Sequence, residues 1–84
     1  MKTEDIIARL DGLVRPHLKL LGAGAALGPD QSLADAGLDS MGSIELLSGI
    51  EGQFGITIPD ELLTDETFAS LRTLAGMVVA ATTR

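Results

Sequence analysis

Apolar positions in the first third of the chain recur at intervals of three and four. Ile6, Leu10 and Leu13, with Ile7, Val14, Leu18 and Leu21, follow helical spacing. Thr3 stands ahead of them with Glu4 and Asp5 behind it, the arrangement of a capped first turn whose dipole favours acids. Pro16 interrupts the run. A proline removes a backbone donor and crowds the preceding turn, so a kink or break is expected near 12–15. The stretch 22–32, GAGAALGPDQS, is glycine-rich and carries a Pro-Asp turn signal, which predicts a long loop.

A second helix is predicted from Ser40. Ile44, Leu47, Ile50 and Phe54 mark its apolar stripe, Glu45, Ser48, Glu51 and Gln53 point elsewhere, and Gly55 supplies a stop. The segment ITIP at 56–59 alternates like a strand but has no second strand to pair with, so an extended loop is expected. A short helical turn over 62–68 should follow Pro59. Ser70 then caps a final helix carrying Leu71, Leu74, Met77 and Val78. The pattern predicts an all-α fold, a small antiparallel bundle of three main helices plus one short helix with a long first loop. No repeat or linker divides the chain, and 1–84 is expected to form a single domain.

Size narrows the function. A chain of 84 residues buries roughly 60 % of its unfolded surface, enough for one modest core and no enclosing second domain. Cysteine is absent, which excludes disulfides, thiol catalysis and cysteine-based metal sites. The start, MKTEDIIARL, does not have the make-up of a secretory signal, and no run approaches membrane-spanning length, so a soluble cytoplasmic protein is expected. Phe54 and Phe68 are the only aromatics and the net charge is −6, which argues against a nucleic-acid partner. Between 29 and 69 lie nine acidic residues and no lysine or arginine. Such a run is either solvated surface or a field that steers basic partners.

The candidate motifs for catalysis lack parts. GAGAALG has Leu27 where a dinucleotide fingerprint needs its last glycine, and no strand precedes it. Asp30, Asp35 and Asp39 are too widely spaced for a calcium loop. GLDSMG misses the nucleophile elbow by one position. The single histidine, His17, lies in the basic first segment and reads as a surface or half-buried residue, so Ser40 has no base of its own. No enzyme activity and no metal site are expected. Two readings of Ser40 stand: a helix cap, or an attachment point on which another enzyme does the chemistry.

The segment ADAGLDSMGSIELLSGIEGQFGITIP resembles the phosphopantetheine attachment region of acyl and peptidyl carrier proteins. The match rests on Gly37, Leu38, Asp39, Ser40 and Met41, then Ile44, Glu45 and Leu46, then Phe54 and Gly55, and finally Ile58 and Pro59. The resemblance implies a covalent 4′-phosphopantetheine at Ser40, transferred from coenzyme A by a separate magnesium-dependent phosphopantetheinyl transferase. The terminal thiol of that arm would then hold an acyl or aminoacyl thioester. It further implies that Asp39 orients the transferase complex, that Met41 is an apolar partner contact, and that Glu45 and Glu51 belong to the recognition helix. Implied partners are a loading enzyme, adenylating or acyltransferase, and downstream synthase or tailoring enzymes, met by a monomeric carrier. Fatty-acid carriers usually place an acid where Gly42 stands and a glutamate cluster where GIEGQFG stands. The likeness therefore points to free-standing carriers of polyketide or non-ribosomal peptide pathways, including those loaded with amino acids, ahead of a fatty-acid synthase carrier. The competing class is a helical protein-interaction domain in which Ser40 serves only as a cap.

Overall fold

The first apolar run folds as α1 (Thr3–Val14) in the computed structural model, which describes residues 2–22, 24–64 and 66–82. Ile6, Leu10 and Val14 fall one turn apart and form its buried line. Thr3 is not the cap. The helix starts a residue earlier than expected: the Lys2 carbonyl accepts from the Asp5 and Ile6 amides, and Lys2 gives no side-chain cap. Glu4 and Asp5 in the first turn offset the unpaired amides instead. The break comes after Val14, as a 3-10 turn at Arg15–His17 in which Pro16 occupies an early position that needs no donor. Leu18 is buried beyond it, so the apolar run continues into the core although the helix does not.

The long loop is irregular among its described residues, yet it is pinned at several points. Arg15 donates to the Ala25 carbonyl at 2.7 Å, and Leu27 and Leu33 are buried. A turn over 33–37 closes through Leu38 N–H to the Leu33 carbonyl at 2.9 Å. Gly37 there has φ of 110°, and a Cβ at this position would stand 2.5 Å from the Leu20 nitrogen and 2.6 Å from that of Lys19. Glycine is required twice over, for the backbone conformation and for the space. Leu20 N–H donates to the Ala36 carbonyl at 2.9 Å across the same contact.

α2 (Ser40–Phe54) buries Gly42, Leu46 and Ile50, again one turn apart, and ends at Gly55 in the left-handed conformation. This differs from the expected stripe of Ile44, Leu47, Ile50 and Phe54. Only Ile50 of the four is buried; Leu47 and Phe54 are half-buried and Ile44 is exposed. The helix has more apolar residues than one side can cover, and the face that meets α1 is the one where Gly42 permits close approach. A Cβ at Gly42 would lie 3.3 Å from His17 Cβ and 3.2 Å from Leu38 Cδ1. His17 thus meets the start of α2 while Leu13 lies beside Gly49, so α2 runs antiparallel to α1.

Residues 56–59 belong to no helix or strand, as expected of a loop, with Pro59 extended and Ile58 buried. The short helical turn sits at Asp60–Leu62, not over 62–68. Threonine hydroxyls take the backbone partners further along: Thr67 Oγ1 accepts from Thr64 N–H at 2.9 Å and donates to the Leu62 carbonyl at 2.9 Å. Asp65 lies outside the described residues.

α3 (Leu71–Thr82) begins as expected at Ser70, whose Oγ accepts from Thr73 N–H while Thr73 Oγ1 accepts from Ser70 N–H. Leu71, Leu74, Ala75, Met77 and Val78 are buried. Its start is tied to the long loop by Leu33 N–H to the Ala69 carbonyl and by Arg72 N–H to that of Pro29. α1 packs against both other helices. The fold is all-α, with no strand among the described residues, and no helix there is long and apolar enough to cross a membrane.

Gly37→Ala should therefore cost about 2–5 kcal/mol, combining a forced left-handed residue with backbone overlap. Thermal unfolding should register this as a fall of roughly 10 °C or more. Gly52→Ala, at an exposed helical position with nothing within 4 Å, should instead stabilise by about 0.5–1 kcal/mol. Equal melting temperatures for the two variants would contradict the packing at Gly37.

Candidate functional site

The first turn of α2 is organised by Asp39, not by Ser40. Asp39 is extended and its Oδ1 accepts from Gly42 N–H at 2.7 Å, so it is the N-cap. Its Oδ2 accepts from Lys19 Nζ at 2.6 Å, and its carbonyl accepts from both the amide and the hydroxyl of Ser43 at 2.9 Å. Aspartate caps as well as serine, and its negative charge adds a favourable term at a helix N-terminus. Ser40 becomes the first helical residue. Its hydroxyl is exposed and makes no hydrogen bond with any described residue. The expectation that Ser40 itself caps the helix is thus corrected, and the correction frees the oxygen.

Two clefts flank this turn. One, of about 540 Å³, is lined by Ser32, Leu38, Ser40, Ser43, Phe68 and Ala69. The other, of about 170 Å³, is lined by Pro16, His17, Lys19, Met41, Gly42 and Glu45 together with Asp39. His17 is half-buried in the second, with Nδ1 3.6 Å from Glu45 Oε2. It pairs with Glu45, and among the described residues no side chain is hydrogen-bonded to the Ser40 hydroxyl as a general base would be. Among the described residues no group of three or more His, Cys, Asp or Glu side chains could hold a metal. The hydroxyl can act as a nucleophile only if a base comes from outside.

The remaining sequence candidates divide. Met41 and Glu45 are exposed on α2 next to Ser40, where a partner can reach them. Glu51 is different. Its Oε2 accepts from Ile58 N–H at 2.9 Å and holds the extended segment against the helix, so it is not the free surface acid that its spacing suggested. One contributor had no signal in the pattern: Lys19, twenty positions from the carboxylate it pairs with; Gly37 stands in the motif, but its role depends on what approaches it. Asp39 as cap was legible, since Asp precedes the apolar run at a position as suitable as Ser40.

The acidic stretch is partly answered in space. The Lys19 ammonium hydrogen-bonded to Asp39, with the Gly42 amide behind it, holds the Asp39 carboxyl below its ordinary pKa. Asp39 in turn raises that of Lys19. Arg72 pairs with Asp30 at 2.6 Å and lowers its pKa likewise. The long run without a basic residue is therefore not a field without counterions.

Residues 8–78 match the family model described as "Phosphopantetheine attachment site". The chain is 37 % identical over 75 residues to aminoacyl carrier protein 1 of Bradyrhizobium diazoefficiens, covering 89 % of this chain and 83 % of that one. A similar solved structure is a carrier protein from Agrobacterium tumefaciens complexed with an engineered Bradyrhizobium japonicum glycine:[carrier protein] ligase and AMP. It has a TM-score of 0.76 and 30 % identity, over 87 % of this chain and 97 % of that one. A glycylated carrier protein bound to the Bradyrhizobium japonicum ligase gives a TM-score of 0.68 and 35 % identity, over 89 % and 96 %.

The ion pair at Asp39 predicts a pH dependence with a definite sign. A carboxyl whose folded pKa lies below its unfolded one contributes stability that is complete above the unfolded pKa. That contribution is lost as pH falls through the folded pKa. Carboxyl carbon shifts followed by NMR from about pH 6 to about pH 2 should show Asp39 titrating below the ordinary aspartate range. Lys19→Met should move that midpoint up part of the way, because the Gly42 amide remains, and should flatten the acid-side loss of stability. An unchanged Asp39 titration in Lys19→Met would remove the ion pair from the account.

Proposed function

The chain belongs to the phosphopantetheine attachment family, non-catalytic carriers whose cofactor is 4′-phosphopantetheine, and from that premise we propose that Ser40 bears the arm and that the cargo is an amino acid. On this reading 1–84 is one carrier domain. The observation that carries the attachment is the Ser40 hydroxyl, exposed and unbonded at the head of α2 while its neighbour does the capping. The residues around it fit the group. Ser40 opens onto a cleft with Leu38 and Phe68 as apolar wall and Ser32 and Ser43 as polar neighbours. The chain has no cysteine, so the thiol is one that the arm supplies when bound, and on it the cargo is held as a thioester.

Attachment needs a separate enzyme. Ser40 Oγ bonds to the phosphorus that carries the pantetheine in coenzyme A, and the pyrophosphate P–O bond breaks. Adenosine 3′,5′-bisphosphate leaves, and the hydroxyl proton passes to a base of the magnesium-dependent transferase. Asp39 serves this step by holding the first turn of α2 through Gly42 N–H, so the Ser40 backbone is fixed at the helix head while its hydroxyl stays free to turn toward the transferase. The aminoacyl reading is supported by the relatives, which are named aminoacyl carrier proteins, and by the neighbour bound in glycylated form. An adenylating ligase is accordingly the proposed loading enzyme, with synthase or tailoring enzymes of natural-product assembly taking the group onward. The proposed site of this work is the cytoplasm, where coenzyme A and ATP are available.

Met41 and Glu45 are the proposed partner contacts. Tethering turns each encounter into delivery at high effective concentration, and an acidic surface favours fast, salt-sensitive association over tight binding. Glu51 contributes by bracing the Ile58 segment and adds its charge to the same helix.

Intact-mass measurement after incubation with coenzyme A, magnesium and a broad-specificity transferase tests the attachment. The unsubstituted protein and Ser43→Ala should gain one phosphopantetheine; Ser40→Ala and Ser40→Asp should gain none. Ser40→Ala should change the stability by less than about 0.5 kcal/mol, since no hydrogen bond is lost. The attachment reading is falsified if the unsubstituted protein gains no mass or the Ser40 variants do.

A second expectation concerns docking. Glu45→Lys should slow loading and flatten its dependence on salt, with folding changed by less than about 0.5 kcal/mol. Loading kinetics and salt slope equal to the unsubstituted protein's would take Glu45 out of the mechanism. Glu51→Lys is unsuitable for this purpose because it also breaks the bond to Ile58.

A further inference from the structure

Lys2 and Lys19 are the only lysines in the chain. Lys2 stands ahead of α1, and twelve helical residues, roughly 18 Å of helix, separate it from the 3-10 turn before Lys19. Lys19 is at the functional end. Its Nζ lies 2.6 Å from Asp39 Oδ2, and Asp39 is the residue before Ser40. Bond lengths then keep the amine nitrogen within roughly 12 Å of the Ser40 oxygen. An extended phosphopantetheine is longer than that, so its sulfur can reach the Lys19 side chain.

That reach carries a hazard, because thioesters react with amines. An uncharged Lys19 would attack the carbonyl carbon of the cargo. An amide bond forms, the carbon–sulfur bond breaks, and the departing sulfur takes up the proton that the amine gives up. The cargo would end on the carrier's own side chain, lost to any enzyme that works on thioesters. The tether makes the reaction intramolecular, at an effective concentration on the order of millimolar. Lys19 is well placed for it, with 70 % of its side chain exposed.

The neighbouring carboxylates disarm the amine. An ammonium has no lone pair, and the hydrogen bond from Asp39 and then its charge favour that form, with a smaller push in the same direction from Glu45. Both acids line the small cleft with Lys19, and His17, the other titratable group there, has Nδ1 3.6 Å from Glu45 Oε2. Stability does not account for the pair. Exposed ion pairs contribute little to it, and Gly42 N–H already holds Asp39 as the cap.

We propose that the Lys19–Asp39 ion pair protects the cargo: the carboxylate beside Ser40 holds the one lysine within reach of the arm as an ammonium, so that the thioester is not captured by the carrier itself. Lys19 is on this account a latent acyl acceptor, and Asp39 is its guard.

This rests on attachment of the arm at Ser40, and the experiment separates the two. The unsubstituted protein, Asp39→Asn and the double variant Asp39→Asn with Lys19→Arg are loaded from glycyl-coenzyme A by a broad-specificity transferase with magnesium. They are then held at about pH 8, still below the ordinary lysine range. Hydroxylamine removes glycine that remains a thioester, and peptide mass mapping measures glycine retained as an amide. Asparagine caps a helix as well as aspartate does, so the fold is kept. Lys19 should be glycylated about fivefold faster in Asp39→Asn than in the unsubstituted protein, a factor in keeping with loss of an exposed ion pair. The rate should not depend on protein concentration, and the double variant should retain only background glycine. A second readout needs no arm: acetylation of the unloaded proteins by a small soluble thioester, with Lys2 as internal reference. Lys19 should gain reactivity in Asp39→Asn by the same factor, and this readout decides the matter if the transferase refuses that variant. Equal Lys19 rates with and without the Asp39 carboxylate overturn the inference, as does equal retention of glycine in the double variant. If the unsubstituted protein takes up no glycyl-phosphopantetheine, the attachment reading fails and this inference falls with it.

Discussion

The arrangement at the functional end depends on a contact in which two stretches of backbone touch with no side chain between them. Gly37 lies against the nitrogens of Lys19 and Leu20, and the Ala36 carbonyl takes the Leu20 amide. A long glycine-rich loop could wander; this contact returns it to the end of α1 immediately before α2 begins. The consequences run outward from there. Lys19 is brought to Asp39, Asp39 is held on the Gly42 amide, and the direction in which α2 leaves is set. A second close approach, of His17 to Gly42, sets the turn after α1 against the start of α2 at the same end.

That geometry divides labour between adjacent residues. Capping and reactivity compete for a serine at a helix start, because a hydroxyl that accepts from the backbone has a fixed rotamer and a used lone pair. Here the aspartate takes the cap and the ion pair, and the serine keeps an unencumbered oxygen at the positive end of a helix. A carrier needs nothing else at this point. On the proposed reading, activation, metal and specificity come from the enzymes that visit it, which suits a chain too small to enclose a substrate.

The same economy shows in the surface. The core takes one line of residues from each of α1 and α2 and a broader face of α3, and α2 has more apolar residues than its core-facing side can bury. The surplus, Met41 and Ile44, remains exposed beside Ser40. Weak, successive docking is favoured by such a surface: a few apolar contacts, carboxylates for steering, and no large patch to hold any one enzyme.

The sequence by itself determined the helix count, the long loop, the extended ITIP segment, the Gly55 stop, the Ser70 cap and the core of α3. Each is local chemistry: apolar spacing, a backbone position that favours glycine, or a hydroxyl within reach of amides three residues on. The motif around Ser40 was legible for the same reason, as an ordered set of residue types along one short stretch. Tertiary structure decided which apolar residues of α2 face inward, because Leu46 and Ile44 are equally apolar and only the position of α1 distinguishes them. It brought Lys19 from twenty positions away to the second oxygen of Asp39. It also turned Glu51 inward toward Ile58 and left Leu20 outside. These outcomes depend on which segments meet across the loop, and spacing along a chain carries no record of that.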